Sequence, residues 1–147
     1  GVRLLATYNQ NATSKHLDKA LNDSNLHVRM YAAGHPNATS ENIHKALNDK
    51  DSLVRSSAAA HKNATSEDID KALSDEHVDV RRAAAKNPNA TKEHLDKAIK
   101  DSDEHVRSSV ISHPNATKEH LQIALNDDSN FLRHLAHDRL QKLSGES

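Results

Sequence analysis

The tripeptide Asn-Ala-Thr occurs five times in this chain of 147 residues, and each copy begins 26 residues after the one before it. The triplets begin at Asn11, Asn37, Asn63, Asn89 and Asn115, with no insertion or deletion between them. A fixed period of this length is typical of a solenoid, in which structural repeats stack on one another. We number repeat positions 1–26 from each of these Asn residues.

Each repeat carries two short apolar stripes with helical spacing. The first stripe occupies positions 7, 10 and 11, which are Leu17, Ala20 and Leu21 in the first repeat. The second occupies positions 18 and 22, which are Val28 and Ala32. The gap between the stripes breaks the period, which predicts helix A over about positions 4–13 and helix B over about positions 16–25. Because such short helices are marginal in water, neighbouring repeats have to bury one another's stripes.

The Asn-Ala-Thr triplet fits the junction between helix B of one repeat and helix A of the next. Pro at position 26 in three repeats stops helix B. Asn at position 1 can close a local turn with its side chain, and Thr at position 3 stands where helix A needs an N-cap. The triplet also satisfies the acceptor pattern for N-glycosylation, but that pattern has a high false-positive rate. We therefore interpret it as turn, spacer and cap.

The two ends of the chain depart from the repeat. Val2, Arg3 and Ala6 match positions 18, 19 and 22, so residues 2–10 are predicted to be a half-repeat with helix B alone. The pattern decays after Ala136, and we expect a C-terminal capping helix at about residues 131–143, as terminal repeats require. Residues 1–147 are predicted to form one α-solenoid domain with repeats that start at residues 11, 37, 63, 89 and 115.

Two blocks of the sequence resemble known helical repeats. The pattern DxxxxVRxxAA at Asp23–Ala33 and Asp75–Ala85 resembles the HEAT-repeat consensus, and VRRAAAKNPNAT at Val80–Thr91 is similar to leucine-rich repeat variant proteins. The resemblance implies an all-α, right-handed solenoid of five two-helix repeats plus an N-terminal half-repeat, with one helix partly 3₁₀ because the repeat is short. Some leucine-rich repeat variant proteins hold an iron–sulfur cluster on a cysteine motif. This chain has no cysteine, and we expect no cofactor.

Two charged positions recur in every repeat, with Asp at position 13 and Arg at position 19. The resemblance to HEAT stacks implies that these residues pair within and between repeats, and Arg suits bidentate pairing with a carboxylate. An Asp at this point can also cap helix B. We predict a structural ladder rather than a phosphate site. Its members are Asp23, Asp49, Asp75, Asp101, Asp127, Arg29, Arg55, Arg81, Arg107 and Arg133.

Lysine recurs at position 9, and three of these lysines have a Glu four residues upstream. This order is favourable on a helix, at roughly 0.2–0.5 kcal/mol per pair. We therefore predict a solvated outer face of helix A that carries the pairs Glu41–Lys45, Glu67–Lys71 and Glu93–Lys97.

Twelve histidines are unusual for a chain of this length, and three of them share position 6 and another three share position 25. Zinc needs its ligand atoms about 2.0–2.1 Å away, whereas equivalent residues of adjacent repeats are roughly 10 Å apart. The strongest pair, His134 and His137 beside Asp138, lacks an obvious third ligand. We predict no metal site, and we interpret the histidines at position 25 as caps on the end of helix B.

The variation among repeats predicts where a partner binds. Helix A is nearly constant, whereas helix B varies at positions 17, 20, 21 and 24. A scaffold position repeats its residue, but a surface that serves one partner does not, although neutral drift on an unused surface would produce the same variation. In HEAT-type stacks the B helices line the concave face. The predicted partner-binding face there consists of Met30, Tyr31, Leu53, Arg82, Lys86, His105 and Phe131.

Composition narrows the function classes. The formal charge of −1 and the presence of only three aromatic residues disfavour nucleic acid. The sequence has no nucleophile–base constellation, Gly-rich phosphate loop or paired-carboxylate signature, so we expect no enzyme. No apolar run approaches the roughly 20 residues of a membrane span, and no signal peptide is visible, so we expect a cytoplasmic protein that does not bind a membrane.

We therefore predict a non-catalytic, HEAT-like scaffold that binds another protein and is a monomer or self-associates weakly. The alternative is a nucleic-acid-binding HEAT-like protein with Arg82, Lys86 and Lys62 as phosphate contacts. That alternative is distantly similar in fold to alkylpurine DNA glycosylases, but the sequence has no match to their active site.

Overall fold

The computed structural model describes residues 9–145, and in that range it consists of α-helices without a strand. The copies of helix A are α1 (Ser14–Ala20), α3 (Ser40–Ala46), α5 (Ser66–Ala72), α7 (Lys92–Ala98) and α9 (Lys118–Ala124). The copies of helix B are α2 (Leu26–Gly34), α4 (Ser52–Ala59), α6 (Val78–Lys86), α8 (Glu104–Ile111) and α10 (Asn130–Gly145). The predicted all-α solenoid is confirmed, while its right hand stays a prediction. The predicted half-repeat at residues 2–10, with Arg3, lies almost wholly outside the described residues.

The helices form two layers, and consecutive B helices contact one another more extensively than consecutive A helices do. Pairs of fully buried alanines line this contact, such as Ala58 and Ala59 of α4 and Ala84 and Ala85 of α6. Small side chains allow helix axes to approach to roughly 8–10 Å. The B layer is therefore a continuous wall, and each A helix packs on the B helix of its own repeat. None of the described helices combines the length and apolarity that crossing a membrane requires.

The predicted apolar stripes form the core. At position 7, the side chains of Ile43, Ile69 and Leu95 are fully buried, as are those of Val54 and Val80 at position 18. Full burial of such a side chain contributes about 1.5–3 kcal/mol, and each repeat supplies the same set. A repeat alone would expose one side of this core, which is why the fold depends on stacking.

Helix A begins as predicted but ends three residues early, at position 10. Its N-cap is Thr at position 3, and the side chain at position 6 completes a capping box. In α3, Thr39 Oγ1 accepts the Asn42 N–H and Asn42 Oδ1 accepts the Thr39 N–H. The chain then tightens through i→i−3 hydrogen bonds, as from the Asn48 N–H to the Lys45 carbonyl at 3.0 Å. The same i→i−3 pattern closes helix B, as from the His61 N–H to the Ala58 carbonyl at 3.1 Å, so 3₁₀ character occurs at the ends of both helices.

Asn at position 1 joins neighbouring repeats and does not close a local turn, contrary to the prediction. Asn37 Nδ2 donates to the carbonyls of Gln10 and Ala12 at 2.9 and 3.0 Å, and Asn115 Nδ2 donates to Ala90 at 2.9 Å. The Ala of the triplet is buried in the first four repeats. The triplet therefore supplies an inter-repeat bond, a buried spacer and a helix cap, in that order.

Helix B is capped at position 15, and not by the Asp at position 13 as predicted. Asp103 Oδ1 accepts the N–H groups of His105 and Val106 at 2.8 and 3.3 Å. Asp101, at position 13, accepts instead the Asp103 N–H at 2.9 Å. The Asp at position 13 therefore forms an Asx turn that positions the capping residue.

Ser56 on α4 has a buried hydroxyl without a hydrogen-bond partner among the described residues. Because an unsatisfied buried polar group is unfavourable, we expect Ser56→Ala to raise the free energy of unfolding by about 1 kcal/mol, measured by urea denaturation. Ser57→Ala is the matched control, since the Ser57 hydroxyl donates to the Leu53 carbonyl at 3.1 Å. The control should change stability by no more than about 0.5 kcal/mol. A loss of stability in Ser56→Ala would contradict the prediction.

Candidate functional site

Consecutive repeats are joined by the Asp and Arg residues that the sequence predicts as a ladder. Arg107 Nε donates to Asp127 Oδ2 of the next repeat at 2.8 Å, and Arg107 Nη1 donates to the Asp101 carbonyl of its own repeat at 2.9 Å. Arg133 donates to the Asp127 carbonyl and to Asn130 Oδ1. The equivalent ion pairs are Arg29–Asp49, Arg55–Asp75 and Arg81–Asp101, and Asp23 Oδ1 accepts the Asn25 N–H.

The two sides of a ladder pair hold each other ionised. Burial tends to raise the pKa of Asp127, but the hydrogen bonds from Arg107 and from the Ser129 N–H outweigh burial, and the pKa lies below its ordinary value. The hydrogen bond to Asp127 raises the pKa of Arg107 despite burial. Since each paired guanidinium donates both to a carboxylate of the next repeat and to a backbone carbonyl of its own repeat, the paired arginines of the ladder are committed to the stack and not to a phosphate.

The histidines at position 25 form a second set of inter-repeat links, and they are buried. His61 Nδ1 accepts the Asn63 N–H at 2.9 Å, and His61 Nε2 faces the His35 carbonyl at 2.6 Å. An N–H can only donate and a carbonyl can only accept, so the ring is neutral and its proton lies on Nε2. His61 therefore caps helix B as a neutral donor, and the helix B that it caps is that of the preceding repeat, which ends at the C-cap residue His35. His35 and His113 repeat the arrangement, and Asn87 reproduces it with its amide.

The side chains at position 6 make an equivalent link between the A helices. His94 Nδ1 accepts the Thr91 N–H at 2.9 Å, and His94 Nε2 donates to the Ser66 carbonyl at 2.9 Å. His120 Nε2 instead donates to Asp96 Oδ1 at 2.6 Å, and this hydrogen bond lowers the pKa of Asp96. Six of the twelve histidines therefore occupy structural positions, at positions 6 and 25.

The lysines at position 9 bridge repeats and do not pair with the upstream Glu as predicted. Lys45 Nζ lies 2.9 Å from Asp18 Oδ1, and Lys97 Nζ lies 3.5 Å from Asp70 Oδ1, each in the preceding repeat. These pairs are largely exposed, so each contributes only about 0–1 kcal/mol. Some of the charges on the outer face of helix A therefore form links between repeats.

Residues 9–145 contain no group of three or more His, Asp or Glu side chains that could hold a metal ion. His137 Nδ1 lies 3.8 Å from Asp138 Oδ1, and both side chains are exposed. His134 does not join them in a ligand set.

The predicted partner-binding residues all lie on the B helices, but they fall into separate groups. Leu53, His105 and Phe131 occupy position 17, in the first turn of their helices. Leu53 is 48% exposed and Phe131 is 63% exposed. Three repeats separate these two side chains, which is on the order of 25–30 Å along the stack. A partner that contacts both would have to extend along the B layer.

Met30 and Tyr31 line an apolar cleft of about 550 Å³ at the N-terminal end of the described chain. Gly34, Pro36 and Ser57 complete much of its wall. The repeat pattern does not predict this cleft, because it depends on which small residue the following B helix presents.

Arg82 and Lys86 line a second cleft, of about 330 Å³, between α6 and α8. Its opposite wall consists of Ser108, Ser109, Ser112, His113 and Pro114. The repeat pattern does not single out these serines, because each is an ordinary small polar residue on or beside helix B. Their repeat positions could have pointed to them. Ser108 stands at position 20, as Arg82 does in the preceding repeat, and Ser112 stands at position 24, as Lys86 does.

The stacked two-helix units and their repeated links define an α-helical repeat protein. No family model and no curated protein matches the sequence. Among solved structures, the chain is similar to one described as a leucine-rich repeat variant with a novel repetitive protein structural motif, at 21% sequence identity and a TM-score of 0.47. The match covers 94% of this chain and 65% of that chain.

Proposed function

We propose that the protein is a non-catalytic scaffold that binds another protein through the variable face of its B helices. The observation that carries the proposal is the exposed surface of the B helices. Both layers use charged side chains for links within the stack, such as Lys45 to Asp18 from an A helix and Arg107 to Asp127 from a B helix. The B helices in addition present large exposed side chains, including Leu53 and Phe131, and clefts whose lining differs from repeat to repeat.

Nucleic-acid binding remains the alternative, and the basic cleft at Arg82 and Lys86 is the observation that favours it. A strand of nucleic acid is held by many phosphate contacts along its path. Position 20 carries a cation in only one described repeat, since the other residues there are Met30, Ser56, Ser108 and His134. Together with the formal charge of −1, this pattern supports a protein partner.

For a cysteine-free chain we propose the cytoplasm as the location, and a monomer or weakly self-associating state.

The matched pair Phe131→Lys and Ile123→Lys tests the scaffold proposal. Both parent side chains are large, apolar and more than half exposed, at 63% and 51%, but Phe131 lies on helix B and Ile123 on helix A. We expect immobilised parent protein to retain a binding protein from lysate of its source cells, and Phe131→Lys to lower the apparent affinity at least about tenfold, as a central aromatic contact does. The captured protein, once purified, allows the affinity to be measured by titration calorimetry.

Ile123→Lys should leave that affinity within about twofold of the parent value, because it changes the opposite layer. A photo-crosslinking residue at Leu53 should likewise label the captured protein, whereas the same residue at Ile123 should not. Equal effects of the two substitutions, or labelling from Ile123 alone, would place the contact elsewhere and refute the proposal.

A further inference from the structure

We propose that the cleft between α6 and α8 binds the phosphorylated side chain of a protein partner. The proposal rests on the scaffold function above and adds the chemistry that one part of the helix-B face recognises. The cleft is defined by Arg82 and Lys86 on one wall and by Ser108, Ser109 and Ser112 on the other.

The charge of the cleft departs from that of the whole chain. Its lining contains two cations and no carboxylate, although the formal charge of the protein is −1. Arg82 and Lys86 are four residues apart on α6, so they project from the same side of the helix, and both are exposed. Within residues 9–145, neither side chain has a hydrogen bond or an ion pair. They differ in this respect from Arg81, which is committed to Asp101 at 3.0 Å.

The opposite wall adds hydroxyl groups to the two cations. Ser108 Oγ and Ser109 Oγ both donate to the His105 carbonyl, at 2.9 and 3.0 Å. Ser112, the C-cap residue of α8, is exposed and lines the cleft, where its hydroxyl can donate to a bound oxygen. His113 contributes no free donor, because both of its ring nitrogens are bonded to backbone groups.

The number of donors favours a phosphate group over a carboxylate. A guanidinium carries five N–H donors and an ammonium three, which is more than the two oxygens of one carboxylate use. A phosphorylated side chain brings a charge of about −1.5 to −2 and three acceptor oxygens, which match two cations and a hydroxyl.

The isolation of the cleft favours a protein segment over a nucleic acid. The next repeat carries Ser108 and Ser112 at the positions of Arg82 and Lys86, and the repeat after it carries His134 and Asp138. The adjacent cleft along the described stack contains Arg139 and Lys142, but it also contains the carboxylate of Asp138, and Arg139 already donates to the Ile111 carbonyl. A second phosphate of a strand would therefore meet a carboxylate and a committed guanidinium there, and not an equivalent partner. A single modified side chain requires only one such cleft.

The test is an NMR titration of the ¹⁵N-labelled full chain with a short glycine peptide that contains a central phosphoserine. We expect saturable amide shifts confined to Lys86, Ser108, Ser112 and their neighbours, and no shifts with the serine or glutamate versions of the peptide. The Arg82→Gln/Lys86→Gln variant should weaken binding at least about tenfold. The Lys50→Gln/Lys100→Gln variant, which removes the same charge from two exposed lysines elsewhere, should bind as the parent does.

Three outcomes would overturn the proposal. Equal weakening in the two double variants would show non-specific attraction to positive charge, and equal binding of the glutamate peptide would show a carboxylate site. Binding of a short oligothymidine that also depends on Arg82 and Lys86 would assign the cleft to nucleic acid.

The partner capture described above separates this proposal from the scaffold function. A captured protein that binds the Arg82→Gln/Lys86→Gln variant as tightly as the parent leaves the scaffold intact but refutes its phosphate contact.

Discussion

Replacing Asp127 with Asn will lower the free energy of unfolding by about 2–4 kcal/mol at neutral pH. The Arg107 and Asp127 side chains are only 17% and 10% exposed, so the guanidinium would keep its charge in a nearly buried site without a carboxylate partner. The Asn side chain retains an oxygen that can accept the Ser129 N–H, which Asp127 accepts at 2.8 Å. The substitution therefore removes the charge and leaves the turn. Urea denaturation followed by circular dichroism measures the loss.

Asp70→Asn is the matched control, because it neutralises an inter-repeat carboxylate at the surface. Lys97 and Asp70 are 42% and 65% exposed, and an exposed pair contributes about 0–1 kcal/mol. A similar loss in the two variants would mean that burial does not set the strength of the ladder, contrary to our interpretation.

The stability difference between the parent and Asp127→Asn should decrease in acid. The pKa of Asp127 is lower in the folded protein than its ordinary value, so the carboxylate stabilises the fold above its unfolded-state pKa of about 3.9. This stabilisation is lost as the pH falls through the folded-state pKa. The stabilities of the parent and of Asp127→Asn should therefore converge below about pH 4. A difference that persists unchanged as the pH falls well below about 4 would contradict the assignment of the effect to the ion pair.

Replacing His61 with Ala will lower the free energy of unfolding by about 2–5 kcal/mol, whereas replacing it with Asn will cost less than about 1 kcal/mol. The Ala variant leaves the Asn63 N–H and the buried His35 carbonyl without their imidazole partner, and it opens a cavity. The Asn variant places an acceptor and a donor in the arrangement that Asn87 already uses, with its Oδ1 2.9 Å from the Asn89 nitrogen and its Nδ2 3.0 Å from the His61 carbonyl.

Thermal and urea denaturation of the two variants beside the parent measure this difference. An Asn variant as unstable as the Ala variant would show that the aromatic ring contributes through its volume and not through its hydrogen bonds. The opposite result, a stable Ala variant, would show that water replaces both bonds at this site.

The repeat pattern predicted the helices well because their apolar positions and caps are local. Thr39 marks the start of α3 as expected, and Ile43 and Ala46 of that helix are buried. The end of helix A was predicted too late. The Asp at position 13 belongs to an Asx turn, in which its side chain competes with helical hydrogen bonding. Positions 11–13 of the predicted helix therefore form a turn and not a continuation of helix A.

The hydrogen-bonding roles of the histidines at positions 6 and 25 could have been predicted from the residues that replace histidine in other repeats. Position 25 alternates between His and Asn, as at His61 and Asn87, and position 6 holds His94, Asn42 and Asp68 in different repeats. All three residue types carry an acceptor atom on Cγ, and His and Asn also carry a donor beyond it. Such a set indicates a shared hydrogen bond more directly than a cation or a metal ligand. The clefts were not open to prediction in this way, because they depend on how adjacent B helices pack.

The inter-repeat bonds join residues of one repeat to fixed positions of the next. Arg107 reaches Asp127, His61 reaches the His35 carbonyl and Asn37 reaches the Ala12 carbonyl. A whole unit of 26 residues can therefore be duplicated or lost in evolution while every remaining donor still meets its acceptor, whereas a single-residue insertion inside a helix would put its links out of phase. The length of the B layer can thus grow in whole steps, and its exposed positions can diverge afterwards without disturbing the stack.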